Sequence, residues 1–272
     1  MYNRCNRRQA ITRLHLVLSA TIFWIFCFSL VGTGLTASAA EMSEIQQRGY
    51  LNVAVKDNLR PLGFKDDNGN LQGLEIDLAK RLASDLVGGK AEAVKFQSVA
   101  NRDRLFVVLD KKVDFAIARV TATESRARVV SFSVPYYFDG TVLITKDASV
   151  QQLNDLAKQK IAVLYNSSTI PQVRYYLPNA ELVGVNSYQE AREQIENNLA
   201  IAFAADASVL SGWVQQYPQY RLLPTKLSTE PLCVVMPKGL QYDELRRNVN
   251  QAIARYLEKG WLQERSQYWG LP

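Results

Sequence analysis

The chain has 272 residues and a formal net charge of +6, with 32 basic and 26 acidic residues, three cysteines and one histidine. Residues 1–40 carry Arg4, Arg7, Arg8 and Arg13 and no acid; without them 28 basic residues face 26 acidic ones, and no nucleic-acid footprint remains. Cys5, Cys27 and His15 lie in the same segment, so its removal leaves Cys233 alone and excludes an internal disulfide, histidine-based catalysis, Cys/His zinc sites and serine–histidine triads.

The basic start, the uncharged run from Leu16 to Ala40 and the small-residue end Ala37-Ser-Ala-Ala40 read as a signal peptide over 1–40, cleaved after Ala39 or Ala40. Left uncleaved, the apolar run Leu16 to Val31 would anchor the chain in the membrane. Arg7-Arg8 leave the Sec and twin-arginine export routes both open, and Cys27 lacks the small residues that precede a lipidated cysteine. Leu51 to Val55 alternates toward a strand, and Asp67-Asn68-Gly69 reads as a tight turn because Asn-Gly accepts positive φ angles. A calcium loop counted from Asp66 fails, since its sixth-position glycine would fall on Leu71. After Gly73, the residues Leu74, Leu78, Leu82 and Leu86, widened by Ile76, Ala79 and Ala83, predict one buried helix face. Asp77, Lys80, Arg81, Ser84 and Asp85 fall opposite, and Glu75 and Asp77 read as acids at the positive end of the helix dipole.

Further along, Val113 to Ala118 reads as a strand, followed by a loop and a helix capped by Thr123. Ile161 to Tyr165 is another strand, followed by Asn166-Ser-Ser-Thr169 and a helix opening near Pro171. A helix over Ser187 to Asn197, a buried strand from Leu199 to Ala205 ending at Asp206, and helices over Tyr242–Tyr256 and Trp261–Tyr268 complete the pattern. Strands alternating with helices imply α/β layers, with Thr141–Lys146 and Pro231–Met236 as crossings between two lobes. Ligands of such sheets bind beyond the carboxyl ends of strands, where helix starts offer free N–H groups. Two junctions qualify: Ala118 to Arg126, with Arg119, Thr121, Thr123 and Arg126, and Tyr165 to Pro171, with Ser167, Ser168 and Thr169. A guanidinium at such a junction can hold a carboxylate bidentately.

As a string, Gly73 to Leu86 resembles the signature of the extracytoplasmic polar amino-acid-binding proteins of ABC importers. Thr121-Ala-Thr-Glu-Ser-Arg126 and Ser131-Phe-Ser-Val-Pro-Tyr-Tyr137 resemble two further segments of that family, and the resemblance covers nearly all of the chain beyond the leader. It implies an α/β, two-lobed type II periplasmic-binding-protein fold with two crossover strands as hinge. The first lobe would comprise 41–143 and 234–272, and the second 144–233. It implies that Arg126 grips the ligand's α-carboxylate, Thr121 adds a hydrogen bond, Asp206 holds the ammonium, and Ser168, helped by Ser167 or Thr169, reaches in from the second lobe. Leu59 replaces the family's aromatic platform, Asn166 its loop glycine, and Ile201 an aspartate. Val53-Ala-Val-Lys56-Asp, Asn101-Arg102 and Lys112-Val-Asp114 resemble the aspartate/glutamate-binding branch, in which Lys56 and Arg102 would face a side-chain carboxylate. Arg119 stands where a small polar residue is usual and adds a third cation. The resemblance thus implies a monomeric periplasmic receptor without cofactor, metal or catalytic activity. It would take a free acidic amino acid to ABC permease subunits in the membrane. The alternative is an exported dehydratase of the same fold acting on prephenate- or arogenate-like acids. That chemistry needs an acid in the cleft, whereas Glu75 and Asp77 are accounted for as helix-start residues.

Overall fold

A computed structural model describes residues 41–88, 93–165 and 167–272. The expected signal peptide with its cleavage point, and Asn166, lie outside the described residues. Among those described, no helix is long and apolar enough to cross a membrane.

Two five-stranded sheets carry the fold. In the first, the spatial order is Val94–Ser98, Leu51–Val55, Phe115–Ile117, Val235–Pro237, Val130–Phe132. In the second it is Glu181–Val185, Lys160–Leu164, Ala202–Asp206, Thr141–Thr145, Arg221–Leu222. The first three strands of each sheet are parallel. Val235–Pro237, which returns late to the first sheet, and Thr141–Thr145, which opens the second, run antiparallel to their neighbours. The inner parallel strands Leu51–Val55, Phe115–Ile117 and Lys160–Leu164 are largely buried because helices cover the faces of such a sheet, while the edge strand Val94–Ser98 is largely exposed. Leu74–Val87 buries Leu74, Ile76, Leu78, Leu82 and Ala83 against the first sheet and helix Asp243–Glu258, as its periodicity predicts. Gly73 precedes it at φ +123°, where a Cβ would lie 2.3 Å from the Leu62 carbonyl, so only glycine fits. The hairpin before it pairs Gly63–Lys65 with Leu71–Gln72, and the Asp66 carboxylate accepts from the Asn68 and Asn70 N–H groups. That carboxylate closes a turn in place of holding an ion.

The chain passes between the sheets along Tyr137–Asp139, which pairs antiparallel with Glu230–Leu232 on its return. The first crossing therefore lies just before the expected Thr141–Lys146. Thr141–Thr145 sits inside the second sheet, buried along its whole length. A run of buried residues looks alike in a sheet interior and in a crossing, and only the pairing separates them. Gly140 marks the transition: a Cβ there would lie 1.8 Å from the Ser228 carbonyl. Cys233 is a buried free thiol beside the return strand.

Candidate functional site

The ends of strands Phe115–Ile117 and Ala202–Asp206 bring Arg119 and Asp206 into an ion pair that joins the two lobes. Arg119 has φ +50°, an uncommon setting for a residue with a side chain, and it is held at both ends of its main chain. Its N–H donates to Glu75 Oε1 at 2.7 Å, and its carbonyl accepts from Arg104. The guanidinium also lies 3.4 Å from Asp139, and the Arg119 side chain is only 17% exposed. Burial works against that charge, but Asp206 and then Asp139 outweigh it and hold the Arg119 pKa above the ordinary arginine value. Burial raises the Asp206 pKa, with Arg119 opposing. Asp139 is otherwise satisfied, accepting from the Gly140 and Ser208 N–H groups at 3.0 Å each and from the Ser208 hydroxyl.

Glu75 is more than the helix-start acid its position suggests. It is fully buried, and Oε1 also accepts from the Tyr136 hydroxyl at 2.5 Å, while Oε2 has no partner. Burial pushes its pKa up against the hydrogen bonds from Tyr136 and Arg119, which favours the neutral acid. Asp77, two residues on, is held instead by Arg265 at 2.6 Å and the Trp269 indole N–H at 2.8 Å. Both acids thus have tertiary partners that a local dipole argument does not show.

The remaining expected residues divide. Lys56 is 5% exposed and donates to the Val99 carbonyl at 2.9 Å, and burial lowers its pKa despite Asp57. Arg126 donates to the Thr121 carbonyl at 2.7 Å and has no carboxylate partner among the described residues. Thr123 accepts from the Arg126 N–H, the expected cap. The Thr121 hydroxyl donates to Glu230 at 3.5 Å; Glu230 has its pKa raised by burial and then by Asp206 and Asp139. Ser168 and Asp206 both precede helices, yet neither side chain makes a cap bond. Ser167 makes the contact there, accepting from the Thr169 N–H at 3.1 Å. Arg102 joins none of these groups: its side chain is 88% exposed and lies 3.6 Å from Asp103. Arg104, two residues later, enters instead, donating to the Ala118 carbonyl at 3.1 Å. Burial, then Arg126 and Arg119, bring its pKa down to about 10. In a helical turn, residues two apart do not share a face, so the segment offers one arginine to solvent and one to the interior. Sequence reasoning missed Arg104, Asp139 and Glu230. The available signals were a second arginine in Asn101–Leu105, and acids set beside Phe138 and Pro231 at the crossing.

A separate cavity of about 330 Å³ has Asn58, Leu59, Arg60, Tyr188, Arg192 and Trp213 in its walls; none of the charged residues above lines it, and Tyr188 is its electrostatic link to Arg119 and Asp206. Leu59 gives it an aliphatic wall, and the buried Trp213 indole N–H has no partner.

Residues 51–272 match the family model of bacterial extracellular solute-binding proteins, family 3. A glutamine-binding protein of Geobacillus stearothermophilus is 30% identical over 202 residues, covering 73% of this chain and 77% of that protein. A cyclohexadienyl dehydratase of Pseudomonas aeruginosa is 26% identical over 260 residues, covering 89% and 91%. The solved structure of an ancestral cationic amino acid solute binding protein superposes with a TM-score of 0.71 at 27% identity, covering 84% of this chain and 99% of that one. The two lobes form the type II periplasmic-binding-protein fold. With the match running from the first strand to Pro272, the chain belongs to the bacterial extracellular solute-binding proteins of family 3.

Proposed function

We propose that this chain is the solute receptor of an ABC amino-acid importer. It works in the periplasm as a monomer, binds glutamate or aspartate between its lobes and delivers it to the permease in the membrane. One observation carries the acidic assignment. Lys56, Arg104 and Arg126 make no ion pair among the described residues and feel one another's charge in the same lobe as Arg119, which Asp206 and Asp139 already hold, while Glu75 beside them is buried in a setting that favours its neutral form. Cations withdrawn from water need anionic partners, and an acidic amino acid brings two carboxylates with one ammonium. In this reading Arg126 grips the α-carboxylate, with Thr121 beside it, and Asp206 takes the ammonium. Ser168, with Ser167 or Thr169, closes from the second lobe. Lys56, Arg104 and Arg119 face the side-chain carboxylate, and Arg102 remains a solvated cation at the rim. A ligand that touches both lobes favours their closed arrangement.

Membership of the family leaves the ligand's side chain open, since relatives are named for glutamine and for cationic amino acids. Calorimetric titration with glutamate, aspartate, glutamine and arginine tests the assignment. The acids should bind tighter than glutamine by about 1–3 kcal/mol, the loss for a neutral amide facing unpaired cations. Tighter binding of glutamine or arginine overturns it. A dehydratase reading gains nothing from Glu75, which is fully buried. Incubation with prephenate and arogenate should leave both unchanged.

A further inference from the structure

Among the described residues, the Asp206 side chain has one hydrogen-bonding or ionic partner, and that partner is Arg119. The acid assigned above to the ligand's ammonium therefore already faces a cation that belongs to the protein. Three features make this cation a movable one. Its main chain is pinned by Glu75 on one side and Arg104 on the other, so the side chain swings from a fixed anchor. Asp139, its second partner, has three other donors from Gly140 and Ser208 and keeps only the longer 3.4 Å contact. Asp206 makes no cap bond to the helix it precedes, so nothing else satisfies it when Arg119 leaves.

Resting on the receptor reading, we propose that Arg119 is a specificity-determining residue that works by exchange: the incoming ammonium replaces its guanidinium on Asp206, and the freed guanidinium pairs with the ligand's side-chain carboxylate. A neutral amino acid completes only the first half of this exchange. It satisfies Asp206 but strands Arg119 in a site that water has left, where an unpaired charge is costly. An acidic amino acid completes both halves. A dicarboxylic acid without an ammonium completes neither, because it cannot relieve Asp206 of Arg119. The pair thus selects for one cation and two anions on the same ligand, and it selects through the free protein as well as through the complex.

Arg119→Ser, which restores a small polar residue, tests the exchange by calorimetry with glutamate and glutamine. In the unmutated protein glutamate should be preferred about tenfold or more. In the variant the preference should shrink at least about tenfold, with glutamate weakened and glutamine bound as tightly or tighter, because Asp206 now waits unpaired for any ammonium. A glutamate-to-glutamine ratio unchanged by the substitution overturns the exchange while leaving the acidic receptor standing. A preference for glutamine in the unmutated protein overturns both. Should the variant fail to fold, glutarate supplies a second reading on the unmutated protein. It carries the two carboxylates of glutamate without the ammonium, and should bind about a hundredfold or more weaker. Equal binding of glutarate and glutamate overturns the proposal, since Arg119 would then have stayed in place.

Discussion

The two strand-to-helix junctions expected to face the ligand are built alike and equipped differently. The first-lobe junction, Ala118 to Arg126, brings Arg119 and Arg126 and recruits Lys56 and Arg104 around them. The second-lobe junction, Tyr165 to Pro171, carries the hydroxyls of Ser167, Ser168 and Thr169 and no charge. Charges act over several ångströms and draw an anion into an open cleft, whereas a hydroxyl acts only at hydrogen-bond distance. On the receptor reading this divides the labour: the cationic junction captures, and the uncharged junction registers that closure is complete.

Substitutions on each side can break this contrast. On the proposed reading, Arg126→Ala removes a charge-assisted contact to the α-carboxylate that all amino acids share. It should cost about 3 kcal/mol or more, roughly a hundredfold in affinity, for glutamate and glutamine alike, with the circular dichroism spectrum intact. Unchanged affinity would take Arg126 out of the site. Lys56→Met should cost about 1–3 kcal/mol for glutamate and less for glutamine. Stopped-flow binding should show a slower, less salt-dependent association, because the steering charge is gone. Ser168→Ala should cost only about 1 kcal/mol, and the loss should appear in the dissociation rate with no change in salt dependence. A slower association in that variant would erase the distinction between the lobes.

The last and smallest effect sharpens the charge count behind the contrast. The pKa of Glu75 is raised above 4.5 in the fold. Its contribution to stability is therefore fully present below about pH 4.5 and is lost as pH rises through the raised value. Glu75→Gln keeps a neutral group in the same place and removes this titration. Thermal melts from pH 4 to 8 should show the unmutated protein losing stability relative to the variant as pH rises. Parallel curves would mean that Glu75 is charged and that the cationic excess of the first lobe is smaller by one.

What could be read from the sequence was what local rules decide. The leucines from Leu74 to Leu86 and the cap at Thr123 follow from helix periodicity and from one short-range hydrogen bond, and both stand in the structure. Arg119, Thr121, Arg126 and Asp206 were named from strand ends and helix starts, and the structure brings two of them, Arg119 and Asp206, into an ion pair. Arg104 was not, because which of two arginines two residues apart turns inward depends on packing against Ala118. The role of Glu75 was hidden for the opposite reason. A sufficient local explanation, an acid in the first helical turn, obscured its ties to Tyr136 and Arg119 across the fold. The crossing was misplaced because burial alone does not distinguish a strand inside a sheet from one between sheets.

Cys233 sits beside the return strand with its thiol pKa pushed up to about 11 by burial. At neutral pH only about one molecule in ten thousand carries the reactive thiolate, and the packing around it keeps oxidants and other thiols away. A protein working outside the cytoplasm meets an oxidising environment in which an exposed cysteine would cross-link or pair wrongly. With its one thiol beyond the expected leader sealed inside the core, the folded chain needs no disulfide-forming or disulfide-shuffling enzyme there.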